Sequence, residues 1–302
     1  MKKTVRTILS IIAVTAISST LIFSASHTEN PNENETTTSS PHLHSIPSKI
    51  DFAGEAAPLH LTDVKERFDR EMIVNTNLHG STILTMKRAD RYFPVIEPIL
   101  AKNGIPDDFK YLCVIESALA NAVSPAGASG FWQIMKGTGK DYGLVIDETI
   151  DERYDLVKAT EAACKYFNDA KAKFGSWTLV AASYNRGMAG MTRAMDSQYV
   201  TDYYDLFLNQ ETSRYVFRIL ALKEIMSNSE KYGFNVPKNE TYKPIKMKKV
   251  AVDYDITDLP LFAKEQGINY KLLKLYNPWL VNTSLKPKGK TYYIEIPTQG
   301  IK

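Results

Sequence analysis

Along most of the chain apolar residues recur every three to four positions, and they alternate only near the end. The pattern predicts a mainly α-helical protein followed by a small mixed module. Over 61–100, Val64, Phe68, Met72 and Ile73 fall on one helical face, and Leu61-Thr62-Asp63 offers a cap. A second helical run over 81–92 is expected to break at Pro94 and Pro98. The alternating charges of Lys65, Glu66, Arg67, Asp69, Arg70 and Glu71 read as a solvated face, so these helices serve as a brace without chemistry. A helix is predicted over 156–174, with Ala162, Ala163, Tyr166, Phe167 and Ala170 inward and Gly175 as its stop. A short buried helix follows from Trp177 to Tyr184, and another spans 213–228, capped by Glu211 and Thr212.

The stretch GIPDDFKYLCVIESALANAVSPAGASGFWQIM, residues 104–135, stands apart. Pro106 suits a first helical position, and Asp107 and Asp108 complement the helix dipole. Glu116 then lies on the apolar stripe of that helix, with Leu112, Cys113, Leu119 and Ala120 at its three- and four-residue neighbours and no cation among them. A carboxyl in apolar surroundings holds its proton to higher pH, as a general acid near neutrality requires. The helix gives way to small residues, Ser124 to Gly130, which leave room for a ligand to approach the backbone. Phe131, Trp132 and Gln133 are expected to set an aromatic wall and an amide beside that gap.

Composition narrows the partners. Lys2, Lys3 and Arg6 account for the whole net charge of +3, so the rest of the 302-residue chain is neutral. A neutral body gives no electrostatic case for nucleic acid. The same three cations precede an apolar run over 8–23, with small residues after it; residues 1–25 read as a signal peptide or anchor. Phe23 fits the cleavage pattern poorly, so anchoring stays open, and no cysteine is present there to carry a lipid. Residues 26–48 are polar and read as a disordered linker. His42 and His44 within it lack the framework of a metal site. Cys113 and Cys164 sit among apolar neighbours and are expected to be free, buried thiols.

Three motifs in one order carry a resemblance. Glu116-Ser117 with SPAGASGFWQIM, the ASYNRG stretch over 182–187, and ETSRYV over 211–216 resemble the lysozyme-like lytic transglycosylases, which cleave peptidoglycan glycan strands. The likeness to the catalytic domain covers about residues 85–232. A longer likeness to the membrane-bound lytic transglycosylase D group takes in the segment from about residue 58 and the tail. The resemblance implies a lysozyme-like (α+β), mainly α fold over 49–236, with a helical brace at 58–100 and a catalytic core at about 101–232. The tail, 245–298, reads strand, helix, helix, strand. It resembles a LysM module, although Asp255 to Pro260 replaces that module's usual opening. Either glycan binding or a structural cap is consistent with it.

In the family, one glutamate protonates the bond between N-acetylmuramic acid and N-acetylglucosamine, then deprotonates the muramic C6 hydroxyl to give a 1,6-anhydro end. Carried onto this chain, Glu116 is the acid and then the base. Ser124 and Gln133 would bind the sugar and its substituents, Tyr184 and Asn185 would position the reacting ring, and Tyr215 would line the cleft. A water-using muramidase, with Glu211 as a possible second carboxylate, and a non-catalytic wall-binding protein are the alternatives. No metal or cofactor is implied. The expected partner is peptidoglycan, the expected state a monomer in the periplasm or cell envelope, with membrane association through the N-terminus only.

Overall fold

The computed structural model describes residues 44–300. The expected leader, most of the linker and His42 lie outside them. The described chain opens with a two-residue-strand hairpin, β1 (Asp51–Phe52) and β2 (Glu55–Ala56), which the hydrophobic pattern gives no hint of. Then come α1 (Thr62–Asn77), α2 (His79–Lys102), α3 (Phe109–Ser117), α4 (Lys136–Asp141) and α5 (Leu156–Phe174). They are followed by α6 (Trp177–Arg186), α7 (Met188–Gln198) and α8 (Gln210–Ser227). The tail folds as β3 (Met247–Val252), α9 (Leu259–Glu265), α10 (Tyr270–Tyr276) and β4 (Tyr292–Pro297). The mainly α class and the small βααβ module are therefore as expected.

Several elements begin and end where local chemistry dictates. Asp155 caps α5 by accepting from the Lys158 amide, and Gly175 closes it at φ +71°. The five inward residues expected of α5 are all buried. Other boundaries differ from expectation. α2 runs unbroken through Pro94 and Pro98, because both prolines lie on its exposed face. The carbonyls of Asp90 and Pro94 lose their helical donors on that face, while Ile96 and Leu100 pack inward. Thr62 and Asp63 give α1 no side-chain cap, and Ile73 is exposed although Val64, Phe68 and Met72 are buried. α8 starts three residues earlier than predicted, capped by Asn209 accepting from the Thr212 amide, so Glu211 is not its cap.

One apolar core gathers α1 to α3 and α5 to α8, with Phe109, Phe167, Trp132 and Trp177 ring against ring at its centre. The hairpin is pinned to it by charge. Lys223 of α8 donates to the Asp51 carbonyl at 2.8 Å and to Asp108 Oδ2 at 2.7 Å. Glu55 accepts from Ser176 Oγ, the Trp177 amide, and the Thr178 amide and hydroxyl, all within 2.6–2.8 Å, and so caps α6 from outside it. Cys113 and Cys164 are buried and free, as expected.

The tail has its own core around Val252, Leu259, Phe262, Leu273 and Ile294. β3 and β4 pair antiparallel, Val250 opposite Ile294 and Val252 opposite Tyr292. The buried Asn277 ties α10 to β4: its amide donates to the Leu273 and Glu295 carbonyls, and its oxygen accepts from the Glu295 amide. His44, read as a weak ligand, packs edge-on against the Tyr232 ring.

Candidate active site

α3 delivers Glu116 to its last turn. Helical geometry then stops, because Ala118 and Leu119 take left-handed φ of 49° and 56°. Two non-glycine residues in that region need support, and Arg88 of α2 supplies some by donating to the Ala118 carbonyl at 3.0 Å. Glu116 is half-buried and accepts a short hydrogen bond from the Tyr215 hydroxyl of α8. Burial raises its pKa from 4.5 to about 7. The Tyr215 hydrogen bond and the Arg218 guanidinium pull the other way, and the nearby Glu211 charge adds to the rise. The carboxyl is thus held where it can give up a proton and take one back near neutral pH.

α6 brings Tyr184 and Asn185 to the same region. Tyr184 donates to the Trp132 carbonyl at 2.8 Å, and both burial and the Glu116 charge push its pKa well up. Its phenol therefore stays protonated. Asn185 bridges the start of α8: its amide donates to Glu211 at 2.9 Å and its oxygen accepts from the Thr212 hydroxyl at 2.8 Å. Glu116, Tyr215, Tyr184, Asn185 and Glu211 thus form one connected neighbourhood.

Ser124 and Gln133 belong to the small-residue loop, whose bonds they complete. Ser124 Oγ accepts from the Ala128 amide at 3.0 Å. Gln133, at φ +47°, donates from Nε2 to the Ala122 and Gly130 carbonyls at 2.9 and 2.8 Å. Neither side chain bonds to Glu116. The expected aromatic wall is not found either: Phe131 and Trp132 are buried in the core, where Trp132 donates to Thr160 at 2.8 Å. They anchor the loop from below, since large rings gain most by leaving water altogether.

The loop's shape depends on residues that the motifs do not mark. Arg153, buried and paired with the buried Asp151, donates to the Gly127 carbonyl at 2.9 Å and the Ile134 carbonyl at 3.1 Å. Gly130 sits at φ +81° against the same residue; a Cβ there would lie 1.9 Å from the Arg153 carbonyl oxygen. Arg218, which also donates to the Ile115 carbonyl at 3.1 Å, was legible as the residue one turn beyond Tyr215 on the same face. Glu71, read as solvated, is instead buried and takes two bonds from Arg214 of α8, at 2.7 and 3.1 Å. It lines a cavity of about 340 Å³ between α1 and α8 that Glu211 and Arg218 also border.

Residues 94–207 match the transglycosylase SLT domain, and residues 248–300 match the soluble lytic transglycosylase C-terminal LysM-like domain. Membrane-bound lytic murein transglycosylase D of Escherichia coli, in strains K12 and O6:H1, is 30% identical over 235 residues. The match takes in 76% of this chain and 50% of those proteins, so the chain spans about half the length of the curated relatives it matches. Among solved structures, an inactive mutant of the lytic transglycosylase Slt from Pseudomonas aeruginosa aligns at 17% identity and a TM-score of 0.36, over 60% of this chain and 35% of that one. The chain accordingly carries a transglycosylase SLT domain followed by a LysM-like domain of the soluble lytic transglycosylase C-terminal kind.

Proposed function

We propose that this protein is a peptidoglycan lytic transglycosylase that uses Glu116 first as acid and then as base. One observation carries the reading: a half-buried carboxyl at the end of α3, raised to about 7 and hydrogen-bonded by a tyrosine that stays protonated. Protonated Glu116 gives its proton to the glycosidic oxygen between N-acetylmuramic acid and N-acetylglucosamine. The resulting carboxylate is stabilised by the Tyr215 hydroxyl and by Arg218. It then takes the proton of the muramic C6 hydroxyl, whose oxygen closes on C1 to give the 1,6-anhydro product. The substrate supplies its own nucleophile, so no carboxylate is needed to activate water.

In this reading Tyr184 and Asn185 shape the ring-binding side of the cleft. Ser124 and Gln133 act by building the loop that receives the sugar, with Ser124 retaining its hydroxyl proton for a ligand. The catalytic part comprises residues 49–236 and the LysM-like part 245–298. The protein works on glycan strands in the cell envelope; among the described residues no helix is long and apolar enough to cross a membrane. The proximity of Glu211 favours one rival, hydrolysis with Glu211 activating water.

Mass spectrometry of soluble products from purified sacculi separates the two. Muropeptides about 18 mass units lighter than hydrolysis products, without a reducing end, support the intramolecular route; reducing ends support hydrolysis. Glu116→Gln should abolish turnover while the protein still melts cooperatively and still binds sacculi. Retained turnover would remove Glu116 from the mechanism.

A further inference from the structure

The segment 145–154 has two faces. One belongs to the C-terminal module: Ile150 is buried in the module's own core, and it pairs as a strand bridge with Leu280. The Asp151 amide donates to the Trp279 carbonyl at 2.9 Å, and the Val281 amide returns a bond to the Thr149 carbonyl at 3.1 Å. At the rim, Asn282 donates to the Glu148 carbonyl at 3.2 Å and Lys288 pairs with Asp147 at 2.6 Å. The other face belongs to the small-residue loop. Asp151 holds the Arg153 guanidinium through two oxygens, and Arg153 holds the Gly127 and Ile134 carbonyls. Asp151 therefore has its backbone in the module seam and its carboxylate in the support of the loop.

We propose that the C-terminal module is a positioning element for the catalytic loop, acting through Asp151 and Arg153, beyond any glycan contact of its own. Docking fixes residues 147–151, which fixes the Asp151 carboxylate and hence the Arg153 fork. That fork sets the Gly127 and Ile134 carbonyls, which bracket residues 128–133 of the loop. A planar guanidinium with five donors suits this task, since each bond it makes fixes the direction of the others. Loosening the seam should let the loop sample other shapes and misplace the sugar relative to Glu116. The consequence for turnover rests on the transglycosylase reading; the mechanical coupling does not.

The test uses the full-length protein. Asn282→Ala combined with Lys288→Ala removes two rim contacts without touching either core, and Ile150→Ala loosens the seam from the other side. Hydrogen exchange is followed at 122–134 and in the module, with melting curves to confirm that each variant is folded. Turnover is measured on short soluble glycan fragments as well as on sacculi. We expect faster exchange at 122–134, and a kcat lowered about tenfold to a hundredfold with little change in KM. Arg153→Lys should mimic this with the seam intact, and adding the seam variants to it should cost little more. Exchange at 122–134 that stays at the wild-type rate while the module loosens would overturn the coupling. So would a loss seen on sacculi alone, which marks the module as a binding arm. Coupled exchange in a protein with no glycan cleavage at all would uphold the coupling and remove the transglycosylase reading.

Discussion

Glu116 is poised by three neighbours of opposing effect, and each can be removed without changing the carboxyl itself. Tyr215→Phe deletes the bond that favours the anion, and Arg218→Gln deletes a favourable charge; both should raise the Glu116 pKa further. Glu211→Gln removes a like charge and should lower it. The alkaline limb of kcat/KM, where the acid is lost, should therefore move up in the first two variants and down in the third. Shifts of one sign throughout would mean that another group sets that limb. A stability consequence follows from the same pKa. Its folded value, about 7, lies above the unfolded one, so the contribution is present below pH 4.5 and is lost as pH rises through 7. Glu116→Gln should then stabilise the protein by about 1–3 kcal/mol at pH 8 and leave it nearly unchanged at pH 4. Paired thermal melts at the two pH values measure this.

The loop over 124–133 is the element most exposed to single changes. At Gly130 a methyl group meets a backbone carbonyl that cannot swing away, and the backbone is left-handed. Gly130→Ala should cost about 2–4 kcal/mol and most of the activity, read by urea melts and product yield. How much of this was legible follows from the range of each interaction. The ends of α5 were readable because Asp155 and Gly175 are local signals. The course of α2 was not, since a proline's effect depends on which face it occupies, and burial is a tertiary fact. The hairpin was invisible, because two-residue strands carry no period. Glu116 and Tyr215 were marked by motif resemblance, and apolar spacing separately singled out Glu116. The burial of Glu71 and the grip of Arg153 on the loop depend on partners 143 and 26 residues away, which no local pattern encodes.

In the molecule as a whole, charged side chains reinforce the ties between remote parts. The hairpin reaches α6 through Glu55 and α8 through Asp51, and the module reaches the loop through Asp151. Glu55 illustrates the sign of such ties. Its four donors outweigh burial and lower its pKa, so its contribution is present above pH 4.5 and fades as pH falls below that value. Glu55→Gln should destabilise by about 1–2 kcal/mol at neutral pH, and less under acid conditions; a chemical-denaturation series across pH would show whether it does. The hairpin's role has a practical corollary for proteolysis. The joint between it and α1, residues 57–61, contains the half-buried Pro58 and Leu59 and the exposed His60 and Leu61. A protease cutting there would remove no residue of the cleft. It would nonetheless cut loose the segment whose Glu55 caps the start of α6, the helix that presents Tyr184 and Asn185. Inactivation by clipping at this joint should therefore precede any cleavage within the catalytic helices.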